Sequence, residues 1–178
     1  MKLISDEIRE SAKKIRMIIL DVDGVLTDGS IILDNNGNEF KRFNVRDGHG
    51  VRMLIRAGIK AAIITGRRSE VVDRRAEELG ITEVHQGVFN KVSVYEKILS
   101  KYNLKDEEVA FMGDDIVDIG ILRRVGLSAV PADADEGVMR WASFVSAKMG
   151  GRGAVRELTN LILDSSGLFD PSSGELLD

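Results

Sequence analysis

Short apolar runs alternate with segments of helical periodicity along most of this chain, and that alternation limits the fold more than any other feature. Residues 17–20, 60–64, 109–112 and 127–130 are brief, mostly aliphatic stretches. Such runs read as strands buried on both faces. Weaker strands are expected at 83–85 and 144–146. Helical spacing covers 5–15, 48–57, 70–79, 91–102, 116–125, 136–141 and 154–163, with Ser5 and Ser69 as N-caps. Alternating strands and helices predict an α/β, Rossmann-like parallel sheet with helices on both faces. One stretch breaks the rhythm. Residues 27–44 read as a β-hairpin flap, the only one in the chain, with arms at 30–33 and 39–44 around the turn Asp34-Asn35-Asn36-Gly37-Asn38. Residues 150–153, Gly-Gly-Arg-Gly, read as a flexible link, and 164–178 as a mobile tail.

Composition narrows the function classes. A chain of 178 residues with no internal repeat is expected to form one domain, 1–178. Net charge is −4 and the basic residues are scattered, so no nucleic-acid-binding face is expected. There is no cysteine, hence no disulfide and no thiolate nucleophile or ligand. No segment has the length and apolarity of a membrane span, and the first residues lack a signal-peptide core. The default expectation is a cytoplasmic protein with no membrane partner.

In open parallel sheets ligands bind beyond the carboxyl ends of the strands, and the polar residues there form a set. The first strand runs into Asp21-Val22-Asp23-Gly24. The second ends at Thr65. Lys91 follows the third, and Asp114, Asp115 and Asp118 follow the fourth. Two carboxylates held about 4 Å apart repel by roughly 4 kcal/mol at an effective dielectric near 20, so a cation is required beside them. Clustered carboxylates suit a hard cation such as Mg²⁺. A lysine and a threonine beside that metal suit a phosphoryl group. One carboxylate of the first pair can attack phosphorus, and the other can move protons. Asp115 reads as a helix cap rather than a catalytic group.

The set Asp21-Val22-Asp23-Gly24-Val25-Leu26-Thr27, Ile64-Thr65-Gly66-Arg67, Lys91 and Gly113-Asp114-Asp115-Ile116-Val117-Asp118 resembles the four motifs of the haloacid dehalogenase superfamily, in order. The resemblance implies Asp21 as nucleophile, Asp23 as acid and base, and Thr65 and Lys91 as phosphate binders. It implies a Mg²⁺ site of Asp21, the backbone carbonyl of Asp23, Asp114 and Asp118, the last acting through water.

A narrower resemblance covers nearly the whole chain. The runs 43–50, 63–68, 86–87 and 150–157 look like those of the 3-deoxy-D-manno-octulosonate 8-phosphate phosphatases. That family lacks a cap domain, and the spacing between motifs here leaves no room for one. The family implies a phosphatase acting on that eight-carbon keto sugar acid phosphate in lipopolysaccharide precursor synthesis. It implies a homotetramer whose flap helps close a neighbouring site. It also implies substrate contacts from Asp23, Asn44, Val45, Arg46, Asp47, Gly48, Arg52, Arg67, Arg75 and Lys91, some of them across subunits; arginine suits a substrate carboxylate. Arg152 is a weaker candidate. Two alternatives stay open at this point: a phosphatase of nine-carbon keto sugar acid phosphates, and a non-enzymatic phospho-acceptor switch.

Overall fold

The computed structural model describes residues 4–170 and 175–176. Six strands, β1 (Met17–Leu20), β4 (Lys60–Ile64), β5 (Glu83–His85), β6 (Val109–Met112), β7 (Leu127–Val130) and β8 (Phe144–Val145), form one sheet in the order β5-β4-β1-β6-β7-β8. All neighbours are parallel. The expected α/β class is therefore observed, with no cap domain among the described residues. β1 lies at the centre, flanked by β4 and β6, so the loops after these three strands open side by side.

The central strand shows how a short apolar run serves two cores. Ile18 and Leu20 join a cluster on one face, with residues of α1 (Asp6–Lys13), α2 (Val45–Arg56), α3 (Glu70–Leu79) and α7 (Ala154–Ser166). Met17 and Ile19 join the opposite cluster, with residues of α4 (Lys91–Tyr102), α5 (Ile119–Leu122) and α6 (Glu136–Met139). Alternate residues of a strand face opposite ways, and here both ways are dry. That is why the run reads as continuously apolar rather than alternating.

Helix ends follow local chemistry, and several differ from expectation. The Ser5 hydroxyl accepts the Ile8 amide at 3.4 Å, as a cap should. Helix α2 begins at Val45 rather than at residue 48, because the Asn44 side chain accepts the Arg46 amide at 2.8 Å and caps it there. The helix expected over 116–125 is instead a 3₁₀ turn (Ile116–Asp118) followed by the single turn of α5. Here the Asp118 carboxylate folds back onto the backbone amides of Asp114 and Asp115, at 3.0 and 3.3 Å. The Asp115 side chain accepts the Ile116 amide at 2.7 Å, the capping role expected of it.

The flap is a short hairpin of β2 (Ile32–Leu33) and β3 (Glu39–Phe40), antiparallel, with shorter arms than expected. It is not the only one: β9 (Phe169–Asp170) pairs antiparallel with β10 (Glu175–Leu176). The stretch expected as a mobile tail, 164–178, is described only in part. Residues 164–166 extend α7, while 171–174, 177 and 178 lie outside the described residues. The supposed flexible link at 150–153 is a packed joint. The Gly151 amide donates to the Val25 carbonyl at 2.9 Å, and the Gly150 amide to Asp133 at 2.9 Å. A Cβ on Gly150 would stand 1.8 Å from the Gly24 carbonyl oxygen. Glycine at 150 thus lets the segment preceding α7 press directly on the loop after β1.

Candidate active site

The loops after β1, β4, β5 and β6 surround a cavity of about 380 Å³ lined by Asp21, Asp23, Thr65, Arg67, Lys91 and Asp114, among others. Asp21 follows β1 directly, its amide donating to the Met112 carbonyl at 3.0 Å, so the sheet itself fixes where its carboxylate starts. Thr65 is held in the same manner, its amide donating to the His85 carbonyl at 2.9 Å. Lys91 is the first residue of α4 and is buried.

Lys91 is the hinge of the charge arrangement. Its Nζ lies 3.0 Å from Asp21 Oδ2 and 2.6 Å from Asp118 Oδ1. Burial works against its charge, but the two carboxylates outweigh it and hold the ammonium above its ordinary range. One oxygen each from Asp21, Asp114 and Asp118 lie within 4.8 Å of one another. Three carboxylates share one lysine, leaving an excess of negative charge in a poorly solvated place. The electrostatics record this. Burial pushes the Asp21 carboxyl up to about 6, with Lys91 pulling against it and Asp118 adding to it. Burial, then Asp21, Asp118 and Asp115, push Asp114 up to about 7. An all-oxygen donor set short of positive charge fits a hard divalent cation.

Asp23 lines the same cavity with a different set of partners. Its carboxylate pairs with Lys41 of the hairpin stem and lies 3.6 Å from the Arg67 Nε. It contributes no side-chain oxygen to the acidic trio. Lys41 escaped the sequence reading, as did Glu39, which accepts from Arg67 at 2.6 Å. The signal was present: alternation along 39–43 puts Glu39 and Lys41 on one face and Phe40 and Arg42 on the other. Phe40 and Arg42 are the exposed pair.

Part of the expected substrate set lies elsewhere within one chain. Asn44, Val45 and Arg46 line a separate cavity of about 550 Å³, with Arg152 and Arg156. Val45, Gly48, Arg52 and Arg75 line a smaller one of about 170 Å³. The reason is the early start of α2, which makes residues 45–48 a helical turn instead of a loop able to reach the strand ends. Asp47 and Gly48 also have roles within their own chain. The Asp47 carboxylate is buried and accepts the amides of Gly153 and Arg156 at 3.1 and 2.7 Å, capping α7 from outside. A Cβ on Gly48 would stand 2.1 Å from the Arg75 guanidinium, so this glycine makes room for Arg75. Arg152 pairs with Asp28 at 3.6 Å rather than reaching the acidic cavity.

Comparison with known proteins gives consistent results. A family model described as haloacid dehalogenase-like hydrolase matches residues 49–126. The chain is 44% identical over 172 residues to the 3-deoxy-D-manno-octulosonate 8-phosphate phosphatase KdsC of Escherichia coli (strain K12), covering 97% of this chain and 92% of that one. It superposes on the crystal structure of the Yersinia pestis 3-deoxy-D-manno-octulosonate 8-phosphate phosphatase with a TM-score of 0.90 at 45% identity, over 91% of this chain and 88% of that one. A Moraxella catarrhalis phosphatase of the same description, crystallised with a magnesium ion, a phosphate ion and KDO, gives 0.89 at 40% identity, over 91% and 93%.

Proposed function

The chain belongs to the 3-deoxy-D-manno-octulosonate 8-phosphate phosphatase family of haloacid dehalogenase-like hydrolases and is a phosphoric monoester hydrolase, and from this we propose that it releases phosphate from 3-deoxy-D-manno-octulosonate 8-phosphate through an aspartyl-phosphate intermediate. The observation that carries the reading is Lys91, buried between Asp21 and Asp118 beside Asp114, with Asp23 in the same cavity. In this mechanism an Asp21 oxygen attacks phosphorus in line with the departing ester oxygen, and Asp23 gives that oxygen a proton. The sugar acid leaves as the alcohol. Asp23, now a carboxylate, takes a proton from water as the water oxygen attacks the phosphorus of the acyl phosphate. The P–O bond to Asp21 breaks, and inorganic phosphate and the free Asp21 carboxylate return. Thr65 and Lys91 hold the phosphoryl oxygens throughout.

Magnesium is the proposed cofactor, held by Asp21, Asp114 and Asp118 together with the backbone carbonyl of Asp23. When bound it supplies charge neutralisation for the phosphoryl oxygens. The acidic trio supports this, because its protons and a cation compete for the same oxygens. Asp114 and Asp21 have folded-state pKa values of about 7 and about 6, against 3.8 ordinarily. Between roughly pH 4 and pH 7 the metal-free folded state therefore binds more protons than the unfolded one, and its stability falls as pH rises through that window. Thermal melts in chelator are expected to show a Tm that declines from pH 5 to pH 8. Mg²⁺ should raise Tm more at pH 8 than at pH 5. Equal Mg²⁺ shifts at both values would remove the trio as the metal site.

We further assign the reaction to lipopolysaccharide precursor synthesis and the working form to a homotetramer. The flap supports the second point: Ile31, Leu33 and Phe40 are 59%, 60% and 54% exposed on a stem with strands of two residues, an arrangement that a second subunit would cover. Asn44, Val45, Arg46, Asp47, Gly48, Arg52 and Arg75 contact substrate in this reading, some of them from the neighbouring chain. No helix among the described residues is long and apolar enough to cross a membrane. The deciding experiment measures phosphate release from the eight-carbon and nine-carbon keto sugar acid phosphates, with and without Mg²⁺. Mg²⁺-dependent preference for the eight-carbon substrate is expected. Preference for the nine-carbon substrate would overturn the assignment, and release from neither would overturn the mechanism.

A further inference from the structure

The hairpin stem and the loops after β1 and β4 are joined by a closed ring of alternating charge. Lys41 pairs with Asp23 Oδ1, and Arg67 Nε lies 3.6 Å from Asp23 Oδ2. Glu39 Oε1 closes the ring, 2.6 Å from Arg67 and 3.6 Å from Lys41. The two cations are not equivalent. The Lys41 side chain is 2% exposed and that of Arg67 44%. Arg67 sits at the mouth of the cavity, where solvent or an anionic ligand competes for it. The Lys41 side chain is almost wholly covered, and its ammonium is held in place by Asp23 and Glu39.

We propose that Lys41 is a positioning residue, which holds the Asp23 carboxylate in its working orientation and so makes docking of the hairpin stem a condition for proton transfer. This rests on the reading of Asp23 as the group that moves protons. A general acid must stand within hydrogen-bond reach of the leaving oxygen. An aspartate on a loop otherwise samples several staggered rotamers. Here each of its oxygens has a partner, and the better-buried partner comes from the flap. The coupling also serves the flap, because strands of two residues cannot fix a hairpin by themselves. The charged face of the hairpin docks on its own chain's loops, while Ile31, Leu33 and Phe40 stay exposed.

The test compares first-turnover product release from two phosphates, the sugar acid phosphate and p-nitrophenyl phosphate. The first leaves as an alcohol and needs a proton. The second leaves as a stable phenolate and needs almost none. Lys41→Met is expected to slow alcohol release by about tenfold or more, and phenolate release by less than about threefold, with KM for the sugar acid phosphate within about threefold of the parent. Lys41→Arg should restore alcohol release to within about threefold, since the charge returns. Equal losses on both substrates would reduce Lys41 to a stability residue and overturn the proposal, as would unchanged alcohol release. Lys41→Gln gives the same two readouts if the methionine variant does not fold. Asp23→Asn separates the two ideas. If it shows no bias against the alcohol, the reading of Asp23 fails. If it shows the bias and Lys41→Met does not, only the role of Lys41 fails.

Discussion

Asp21→Asn is expected to lower phosphate release from the sugar acid phosphate by at least about 10⁴-fold, the scale seen when a covalent nucleophile is removed. An amide in place of the carboxylate cannot form the acyl phosphate, and it also withdraws one carboxylate oxygen from the acidic trio. Folding should survive. Lys91 keeps Asp118 at 2.6 Å, and the neighbouring Asp114 loses a repelling charge. The expected result is thus an inactive protein whose metal-free melting temperature at pH 8 is no lower than that of the parent. Activity within tenfold of the parent would reject Asp21 as the nucleophile. Single-turnover phosphate release and a melt followed by circular dichroism check the two halves separately.

Asp23→Asn is expected to cost about 10²–10⁴-fold in turnover, the usual worth of a positioned acid and base, while Mg²⁺ binding largely persists. The two halves again follow from geometry. The Asp23 carboxylate belongs to the ring with Lys41 and Arg67, whereas the trio that would hold the cation consists of Asp21, Asp114 and Asp118. The amide keeps the backbone carbonyl; it removes the proton-moving group and weakens the ring, leaving Lys41 with Glu39 at 3.6 Å. This variant also discriminates the phospho-acceptor alternative, because a switch that is only phosphorylated has no need of a proton shuttle two residues beyond the acceptor. Hydrolysis unaffected by the substitution would remove the assigned role. The measurements are steady-state turnover on the sugar acid phosphate and calorimetric titration with Mg²⁺.

The legible part of the site was the part carried by strand ends. Asp21, Thr65, Lys91 and Asp114 could be placed because each follows a run whose apolarity marks it as a buried strand or the loop behind one, and side chains at such ends share an edge. The illegible part depended on partners far apart in the chain. Nothing local to Asp47 announces that its carboxylate caps a helix more than a hundred residues later. Nothing local to Gly150 announces the Gly24 carbonyl against which it packs. Polarity at 47 and glycine at 150 are ambiguous until the neighbour is known. Lys41 was missed for a different reason. Its hairpin arm is so short that alternation over a few residues carried little weight beside the strong turn signal of 34–38.

By itself the amino-acid sequence determined the sheet strands, most of the helices, the α/β class and the identity of the polar residues at the strand ends, because those depend on periodicity and on neighbours a few positions away. The tertiary structure decided which of those residues meet. The order β5-β4-β1-β6-β7-β8 puts Asp21 between Thr65 and Asp114, and only that neighbourhood sets the site's electrostatics. Desolvation and Coulomb interaction depend on distance through the folded protein rather than along the chain. Hence the raised carboxyls of Asp21 and Asp114, the bridging Lys91 and the hairpin lysine on Asp23 exist as chemical facts only once the sheet has brought them within a few ångströms.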